Sequence, residues 1–158
     1  MPIIHLTTLI NAPIERCFDL ARSIDLHQHT AASTNERAIS GITSGLISKG
    51  ETVTWKAKHF GVTQTLTSEI SKMECPYLFE DRMIAGAFKK IVHLHTFEFV
   101  NGQTIMKDVF EFDSPWGILG SLFNKIILTN YMRRFLYERN QMIKMVAETE
   151  EWKKYLKS

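Results

Sequence analysis

The alternation of apolar and polar residues near the start of the chain predicts one strand followed by two short helices. A strand-like run, IIHLTTLI, leads into NAPIERCFDLAR, where Ile14, Phe18 and Ala21 fall on one face of a helix. Ser23 and Asp25 then mark a break before a second short helix, IDLHQH.

Beyond Glu51 the period of the pattern changes to two, which is typical of half-buried strands. Four stretches show it in succession: TVTWKAKHF, VTQTLTSEISK, YLFEDRMIA and the long pair VHLHTFEFVNGQTIMKDVFEF. Residues 30–50 are rich in Ser, Thr, Ala and Gly and predict a loop, with a short strand near residues 36–40. The chain after Gly117 has a helical composition. We therefore predict a meander of antiparallel strands and a long C-terminal helix.

The histidines fall into two groups by position. His59 lies in line with Val53 and Trp55 on one face of its strand, and the other face carries lysines, which belong in water. His59 is therefore predicted to point toward the interior. His27 and His29, on a polar helix or the loop after it, are expected to be solvated.

The last hairpin turns at Asn101-Gly102, the strongest signal for a two-residue type I′ turn. This turn fixes the register of the two strands, so that His95 opposes Asp108 and His93 opposes Phe110 on one face. Residues that oppose each other in such a pair have Cβ atoms about 4.5 to 5.5 Å apart. We therefore expect His95 to contact Asp108, and His93 to have no carboxylate opposite it.

Arg139 falls near the middle of the apolar stripe of the C-terminal helix. The stripe consists of Leu128, Tyr131, Met132, Phe135, Met142 and Val146. Because a buried guanidinium without a partner is costly, Arg139 is predicted to pair with Asp108 on the sheet or with a bound anionic group.

The apolar residues just before this helix point the opposite way on the same helical wheel. They are Leu119, Leu122, Phe123 and Ile126. One straight helix cannot bury both stripes against one sheet. The sequence therefore predicts a kink or break within residues 124–130, with the first segment as a lid or an end wall.

The composition is that of an ordinary globular protein. The chain has 158 residues, of which 44% are hydrophobic and 23% charged, and a formal net charge of +2, which fits one domain over residues 1–158. This mild charge does not predict nucleic-acid binding, and Arg133, Arg134 and Lys144 do not make a basic face. The sequence contains no nucleotide-cradling or hydrolase-elbow motif.

The lack of a recognisable targeting signal and the spacing of the cysteines predict an ordinary intracellular setting. No run approaches the roughly 18 apolar residues of a membrane span, and the first residues do not resemble a secretory leader. We therefore expect a cytoplasmic protein without stable membrane insertion. Cys17 and Cys75 sit on different predicted elements and lack C-x-x-C spacing, so both are expected to be reduced, packed thiols.

Several stretches carry a family resemblance. They are APIERCFDLARSIDLHQH, GLISKGETVTWKAKHFG, the H-x-H-x-F of His93, His95 and Phe97, and MKDVFEFDSPWG. In these stretches and in its order of elements, the chain resembles the small bacterial members of the SRPBCC superfamily, the START-related, polyketide cyclase/dehydrase-like proteins. The resemblance covers nearly the whole chain.

The resemblance implies an α+β helix-grip fold like that of the major birch pollen allergen. In this fold a curved antiparallel sheet wraps around a long C-terminal helix, two short helices close one end, and a largely apolar cavity lies between sheet and helix. Members bind lipids, sterols, polyketides or other hydrophobic molecules, and some catalyse cyclisation or dehydration inside the cavity. Such a widely reused fold implies an architecture more directly than an activity.

We expect the cavity to bind a small hydrophobic molecule of lipid, polyketide or aromatic type, with a polar end formed by His, Asp and Arg side chains. The expected ligand-binding residues are Trp55, His59, His93, His95, Phe97, Asp108, Phe110, Met132, Phe135 and Arg139. The alternative is a cyclase or dehydratase in which His95, oriented by Asp108, acts as general acid or base. Another is that the polar residues form only a hydrogen-bond network between sheet and helix.

A metal site is a further alternative, since His93, His95 and Asp108 supply nitrogen and carboxylate ligands and His59 could add a fourth. Two histidines at alternate positions of a strand are weak evidence, because any inward strand face offers that spacing. We therefore expect no metal and no cofactor.

Overall fold

The computed structural model describes residues 1–114 and 124–156. Seven strands form one sheet, with the bounds β1 (Ile3–Ile10), β2 (Arg37–Gly41), β3 (Thr52–His59), β4 (Val62–Glu74), β5 (Leu78–Gly86), β6 (Lys90–Val100) and β7 (Gln103–Asp113). The α-helices are α1 (Ile14–Ala21), α2 (Ile24–Thr30) and α3 (Thr129–Glu148). A π-helical segment, Asn124–Leu128, leads into α3, and short 3-10 turns occupy Ala32–Thr34 and Glu150–Lys154.

The strands lie in the order β1-β7-β6-β5-β4-β3-β2, and each neighbouring pair is antiparallel. Strands β2 to β7 therefore form the predicted meander, and β1 adds to its far edge beside β7. The long α3 contacts β1, α1 and α2. This is the α+β helix-grip architecture, so the expected fold class is confirmed.

The two short helices form where their sequences predict them. The inner face of α1 buries Ile14, Cys17 and Phe18, in agreement with the helical period. The hydroxyl of Ser23 accepts a hydrogen bond of 3.2 Å from the backbone N–H of Leu26, which caps α2 and separates the two helices.

The register of the last hairpin is the predicted one. Asn101 and Gly102 have φ values of 52° and 78°, as a type I′ turn requires. The Cα partners of the pairs are His95 with Asp108 and His93 with Phe110. The turn sequence therefore predicted the cross-strand neighbours at the centre of the sheet correctly.

The break before the long helix is also present. The segment Asn124–Leu128 is π-helical. Within it, the side chain of Ile126 is 55% exposed, whereas that of Leu128 is 6% exposed. The expected lid or end wall of Leu119, Leu122 and Phe123 lies outside the described residues.

The buried face of α3 is rotated relative to the predicted stripe. Leu136, Arg139, Asn140, Ile143 and Val146 are buried, whereas the predicted Tyr131, Met132, Phe135 and Met142 are half-buried. The inward-facing polar residues are therefore a pair, because Asn140 joins Arg139. The rotation of α3 determines whether Arg139 or Asn140 reaches the sheet.

Two hydrophobic clusters pack α3 against the rest of the chain. One includes Phe18, Phe79, Phe97 and Ile143, and joins the short helices and the second half of α3 to the sheet. The other joins the first part of α3 to β1 and β7, through residues that include Leu136 and the buried Ile4, Phe110 and Phe112. The remaining space between the sheet and α3 forms a cavity.

Both cysteines are free thiols, as expected, but only Cys17 is packed. Cys75 is exposed at the end of β4, where the chain turns toward β5, so the expectation that it is a packed thiol was wrong. In the part of the chain that the structure describes, no helix combines the length and the apolar character that a membrane crossing requires.

Candidate functional site

A cavity of about 400 Å³ lies between the sheet and α3. Residues of α2, of β3 to β7 and of α3 contribute to its wall. Most of the wall is apolar or aromatic, with Trp55, Leu66, Met83, Phe110, Met132 and Phe135 among its members. A cavity of this kind is the usual form of a small-molecule site.

Seven of the ten residues expected to bind a ligand line this cavity. They are Trp55, His59, His93, Phe110, Met132, Phe135 and Arg139. The remaining three, His95, Phe97 and Asp108, are buried but do not line it. Phe97 belongs to the core instead, where its ring lies 5.4 Å from that of Phe18 and 6.2 Å from that of Phe79.

The carboxylate of Asp108 is the centre of a buried polar network. Nε2 of His93 lies 2.9 Å from Oδ1 of Asp108 at hydrogen-bond geometry. Nδ2 of Asn140 donates a hydrogen bond of 2.7 Å to Oδ2. Burial alone would raise the pKa of Asp108, but attraction to His95 and the hydrogen bond of His93 outweigh it and hold that pKa well below its ordinary value. Asp108 is therefore a carboxylate that ties β6, β7 and α3 together.

His95 is close to the same carboxylate but has a different environment. Its Nδ1 lies 2.7 Å from Oδ1 of Asp108, in an orientation that does not meet hydrogen-bond geometry. Its ring stacks on Phe79 at 4.3 Å and lies 3.8 Å from the ring of His93. Burial and the proximity of His93 lower the pKa of His95 to about 3 despite the attraction of Asp108. His95 is thus a neutral side chain of the interior.

His93 makes a contact with Asp108 that the register of the hairpin did not indicate. The register pairs His95 with Asp108, but the side chain of His93 reaches the same carboxylate diagonally and also lines the cavity. As predicted, Phe110 rather than a carboxylate lies opposite His93 on β7, and the diagonal contact of His93 with Asp108 is an addition that the register did not indicate. On the described geometry, His93 is the histidine that connects Asp108 to the cavity.

Arg139 does not make its expected ion pair with Asp108. It is 6% exposed and lines the cavity, and its Nη2 donates a hydrogen bond of 3.0 Å to the carbonyl of Ala21. Among the residues that the structure describes, its Nε has no hydrogen-bond partner. Because α3 turns Asn140 toward the sheet, the amide of Asn140 forms a hydrogen bond with the Asp108 carboxylate, which was expected to pair with Arg139.

A second polar pair at the cavity wall was not expected. Nε2 of His27 lies 2.5 Å from Oε1 of Glu36, and the His27 ring stacks on Trp55 with 4.2 Å between centroids. Burial opposes ionisation of Glu36, but the attraction and hydrogen bond of His27 outweigh it, so its pKa is lowered. His27 is therefore half-buried rather than solvated, which corrects the expectation; His29 is exposed.

Asp81 is another lining residue that the sequence analysis missed. Its Cα partner across the sheet is His93, and its side chain faces the cavity. Burial raises its pKa, although a hydrogen bond with Ser68 and the attraction of His93 oppose that shift. The signal was present, because Asp81 alternates with Phe79 and Met83 along β5 and so shares their inward face.

His59 points inward, as expected, and meets the first turns of α3. Its Nδ1 lies 2.8 Å from the hydroxyl of Tyr131, and burial lowers its pKa. The ring of Tyr131 also lies 4.6 Å from that of Phe60, at the tip of the β3–β4 hairpin. These contacts join the hairpin to the helix along the cavity wall.

His93, His95 and Asp108 are a group whose composition could suit a metal ion. Their possible ligand atoms all lie within 4.8 Å of one another. Two ligand atoms around a tetrahedral zinc ion are about 3.3 Å apart. Both histidine nitrogens are closer than that to Oδ1 of Asp108, at 2.9 and 2.7 Å, so Oδ1 is too near either nitrogen for the two atoms to be ligands of one zinc ion.

No family model matches the chain, and no curated protein matches it in sequence. Solved structures match it in fold. The protein TTHA0849 from Thermus thermophilus has a TM-score of 0.72 at 14% identity, over 94% of this chain and 100% of that chain. The major latex-like protein 151 from Panax ginseng has a TM-score of 0.67 at 13% identity, over 94% and 98%.

A further structural neighbour is the protein Ms6760 from Mycobacterium smegmatis, with a TM-score of 0.66 at 15% identity, over 91% of this chain and 89% of that chain. At such identities the likeness is one of fold alone. It confirms the helix-grip fold that the resemblance to the SRPBCC superfamily implies.

Proposed function

We propose that this protein binds a small hydrophobic molecule in the cavity between the sheet and α3. The observation that carries the proposal is the cavity itself, about 400 Å³ of space with largely apolar walls. Ligand pockets commonly measure roughly 300 to 1,000 Å³ and combine apolar walls with a few polar groups. Well-packed cores, in contrast, contain few voids larger than a water molecule. The space is therefore too large to be a defect of core packing.

The lining residues divide the proposed site into an apolar part and a polar part. Trp55, Met132 and Phe135 offer contact area to the body of the molecule, and methionine adapts readily to ligands of different shape. His93 and Arg139 offer hydrogen-bond donors to its polar end. In this proposal Asp108 acts on the ligand only through His93, which it orients.

The proposal is tested by native mass spectrometry of the protein purified from cells, together with titration of neutral hydrophobic dyes. We expect a bound small molecule, or a dye that binds saturably with one site per chain. A protein that carries no small molecule and shows no saturable dye binding would contradict the proposal.

A second candidate function is acid–base catalysis inside the cavity, and the position of His93 favours it. His93 lines the cavity while its Nε2 contacts the Asp108 carboxylate at 2.9 Å. With a proton on Nε2, the other ring nitrogen is free to accept a proton from a substrate, as in cyclisation or dehydration. From the sequence this role was expected of His95, which does not line the cavity.

The catalytic candidate is tested by proton exchange at the carbon next to a ketone. The protein is incubated in heavy water with a hydrophobic ketone such as 2-nonanone, and deuterium uptake is followed by mass spectrometry. Catalysis predicts protein-dependent exchange that His93→Gln abolishes and His29→Gln leaves unchanged. Equal exchange in the wild type and His93→Gln would exclude this role for His93.

A further inference from the structure

We infer that the hydrophobic molecule carries a carboxylate and that Arg139 binds it. This inference rests on the proposed function, because it names the class of ligand for the same cavity. It starts from the charge of Arg139, which the described part of the chain buries without an ion-pair partner.

The hydrogen bonds of Arg139 leave its guanidinium largely unused. A guanidinium has five N–H donors. Within residues 1–114 and 124–156, the hydrogen bond that Arg139 makes runs from Nη2 to the carbonyl of Ala21, and its Nε has no partner. The side chain is 6% exposed, so water at the surface cannot solvate these donors. Because it lines the cavity, a bound molecule can reach it.

The carboxylates near Arg139 are committed to other partners. Asp108 accepts from His93 on one oxygen and from Asn140 on the other. Glu36 is paired with His27 at 2.5 Å. Each contributes long-range attraction that favours the charged arginine, but burial is the larger effect and lowers its pKa. The protein therefore pays a desolvation cost that a ligand anion in contact would offset.

Asp81 is a further acid at the cavity wall, and its carboxylate form attracts Arg139. Burial raises its pKa, which favours the neutral form, and a neutral carboxyl group can donate a hydrogen bond to a carboxylate. The other titratable residues of the wall are His27, Glu36, His59, His93 and Tyr131. None of them supplies a permanent positive charge, so Arg139 is the cation that defines the polar end.

A carboxylate fits this site better than a neutral polar group does. The planar fork of a guanidinium matches the two oxygens of a carboxylate, and the resulting pair of charge-assisted hydrogen bonds is about twice as strong as neutral ones. A hydroxyl or ketone would leave the buried charge uncompensated. The apolar walls then select an aliphatic or aromatic acid over a small inorganic anion.

The test compares dodecanoic acid with dodecan-1-ol and methyl dodecanoate, which share the apolar chain. Each competitor displaces the neutral dye N-phenyl-1-naphthylamine at neutral pH from the wild type, from Arg139→Met and from the control Arg133→Met, whose arginine is exposed. We expect the acid to bind the wild type and the control at least about tenfold more tightly than the alcohol does. In Arg139→Met this preference should disappear, because the acid should lose more affinity than the alcohol does.

The outcomes separate this inference from the proposed function. Equal displacement by acid and alcohol in the wild type leaves the hydrophobic site intact and overturns the carboxylate inference. The same holds if Arg139→Met keeps the preference. A wild type that binds neither the dye nor any competitor contradicts the proposed function itself.

Thermal unfolding of the same proteins gives a second readout. Among the described residues Arg139 has a hydrogen bond to the carbonyl of Ala21 and no ion pair, so an apolar residue of similar length should remove more desolvation cost than it loses in hydrogen bonding. Arg139→Met should therefore melt no lower than the wild type without ligand, and dodecanoate should raise the melting temperature of the wild type alone. A large loss of stability in Arg139→Met would show that its charge is satisfied within the protein and would overturn the inference.

Discussion

Nδ2 of Asn140 donates a hydrogen bond of 2.7 Å to Oδ2 of Asp108. This contact fixes the rotation of α3 over the sheet, because both residues are about 1% exposed and neither can turn to water. It also leaves Arg139, the preceding residue, beside the cavity and, within residues 1–114 and 124–156, without a carboxylate partner. The place of Arg139 at the cavity wall therefore goes together with this helix-to-sheet hydrogen bond.

Removing the amide of Asn140 should destabilise the protein. In Asn140→Ala, one oxygen of a buried carboxylate loses its partner, which costs on the order of 2 kcal/mol or more. Urea unfolding at neutral pH measures the loss, and Gln141→Ala, at the next and exposed position, is the control. A change below about 0.5 kcal/mol would be typical of an ordinary surface site and would contradict the proposed tie.

The stability should decline as the pH falls, in part because of His95. Its pKa is lowered in the folded protein from the ordinary 6.5 to about 3, so the unfolded chain takes up a proton first as the pH falls. His95 therefore contributes stability that is fully present above about pH 6.5 and is lost progressively down to about pH 3. The expected slope from this residue is about 1.4 kcal/mol per pH unit.

Urea unfolding between pH 7.5 and pH 4.5 tests this dependence. His95→Gln should flatten the decline, and His29→Gln, an exposed control, should not. Asp108 acts in the same direction at lower pH, because its depressed pKa makes its stabilisation present above the ordinary carboxyl pKa and lost below it. An unchanged slope in His95→Gln would mean that the folded protein does not exclude the proton from His95.

Replacing Phe97 should mainly reduce the stability of the protein, whereas replacing Phe135 should mainly reduce ligand binding. Phe97 is packed against Phe18 in the core, so Phe97→Ala should cost roughly 3 to 5 kcal/mol in unfolding free energy. Phe135 is half-buried at the cavity wall, so Phe135→Ala should cost less and mainly weaken dye binding. A larger loss of stability in Phe135→Ala than in Phe97→Ala would contradict the assignment of Phe97 to the core and of Phe135 to the cavity wall.

The histidine and aspartate group should bind no metal. The distances from Oδ1 of Asp108 to both imidazole nitrogens are shorter than the separation of two ligand atoms around one zinc ion. We expect protein purified without chelator to contain no stoichiometric zinc, and added zinc or EDTA to leave the melting temperature unchanged. Stoichiometric zinc that is absent from Asp108→Asn would contradict this prediction.

The sequence predicted the fold well because its strongest signals are local. The strand period of two, the Asn-Gly turn and the break at Ser23 and Asp25 each depend on a few neighbouring residues, and together they specify the order of elements and the register. The pairing of His95 with Asp108 follows from that register alone. Local chemistry of this kind can be read without knowing what packs on the sheet.

The site was predicted only in part because it depends on rotation and on distant contacts. Consecutive helix residues differ by about 100°, so a modest error in the direction of α3 exchanges Arg139 for Asn140 as the partner of Asp108. The register places His93 away from Asp108, but its long side chain spans the diagonal. Glu36 lies in a polar segment without a period, so nothing local indicates that it meets His27.

The most direct test of the account is to fill the cavity and measure binding. Ala57 is buried and lines the cavity, whereas Ala85 is exposed on β5 and does not line it. Titration of N-phenyl-1-naphthylamine should give saturable binding with the wild type and Ala85→Phe, and none with a folded Ala57→Phe. Equal binding by all three, or no saturable binding by the wild type, would contradict the claim that this cavity is a ligand site.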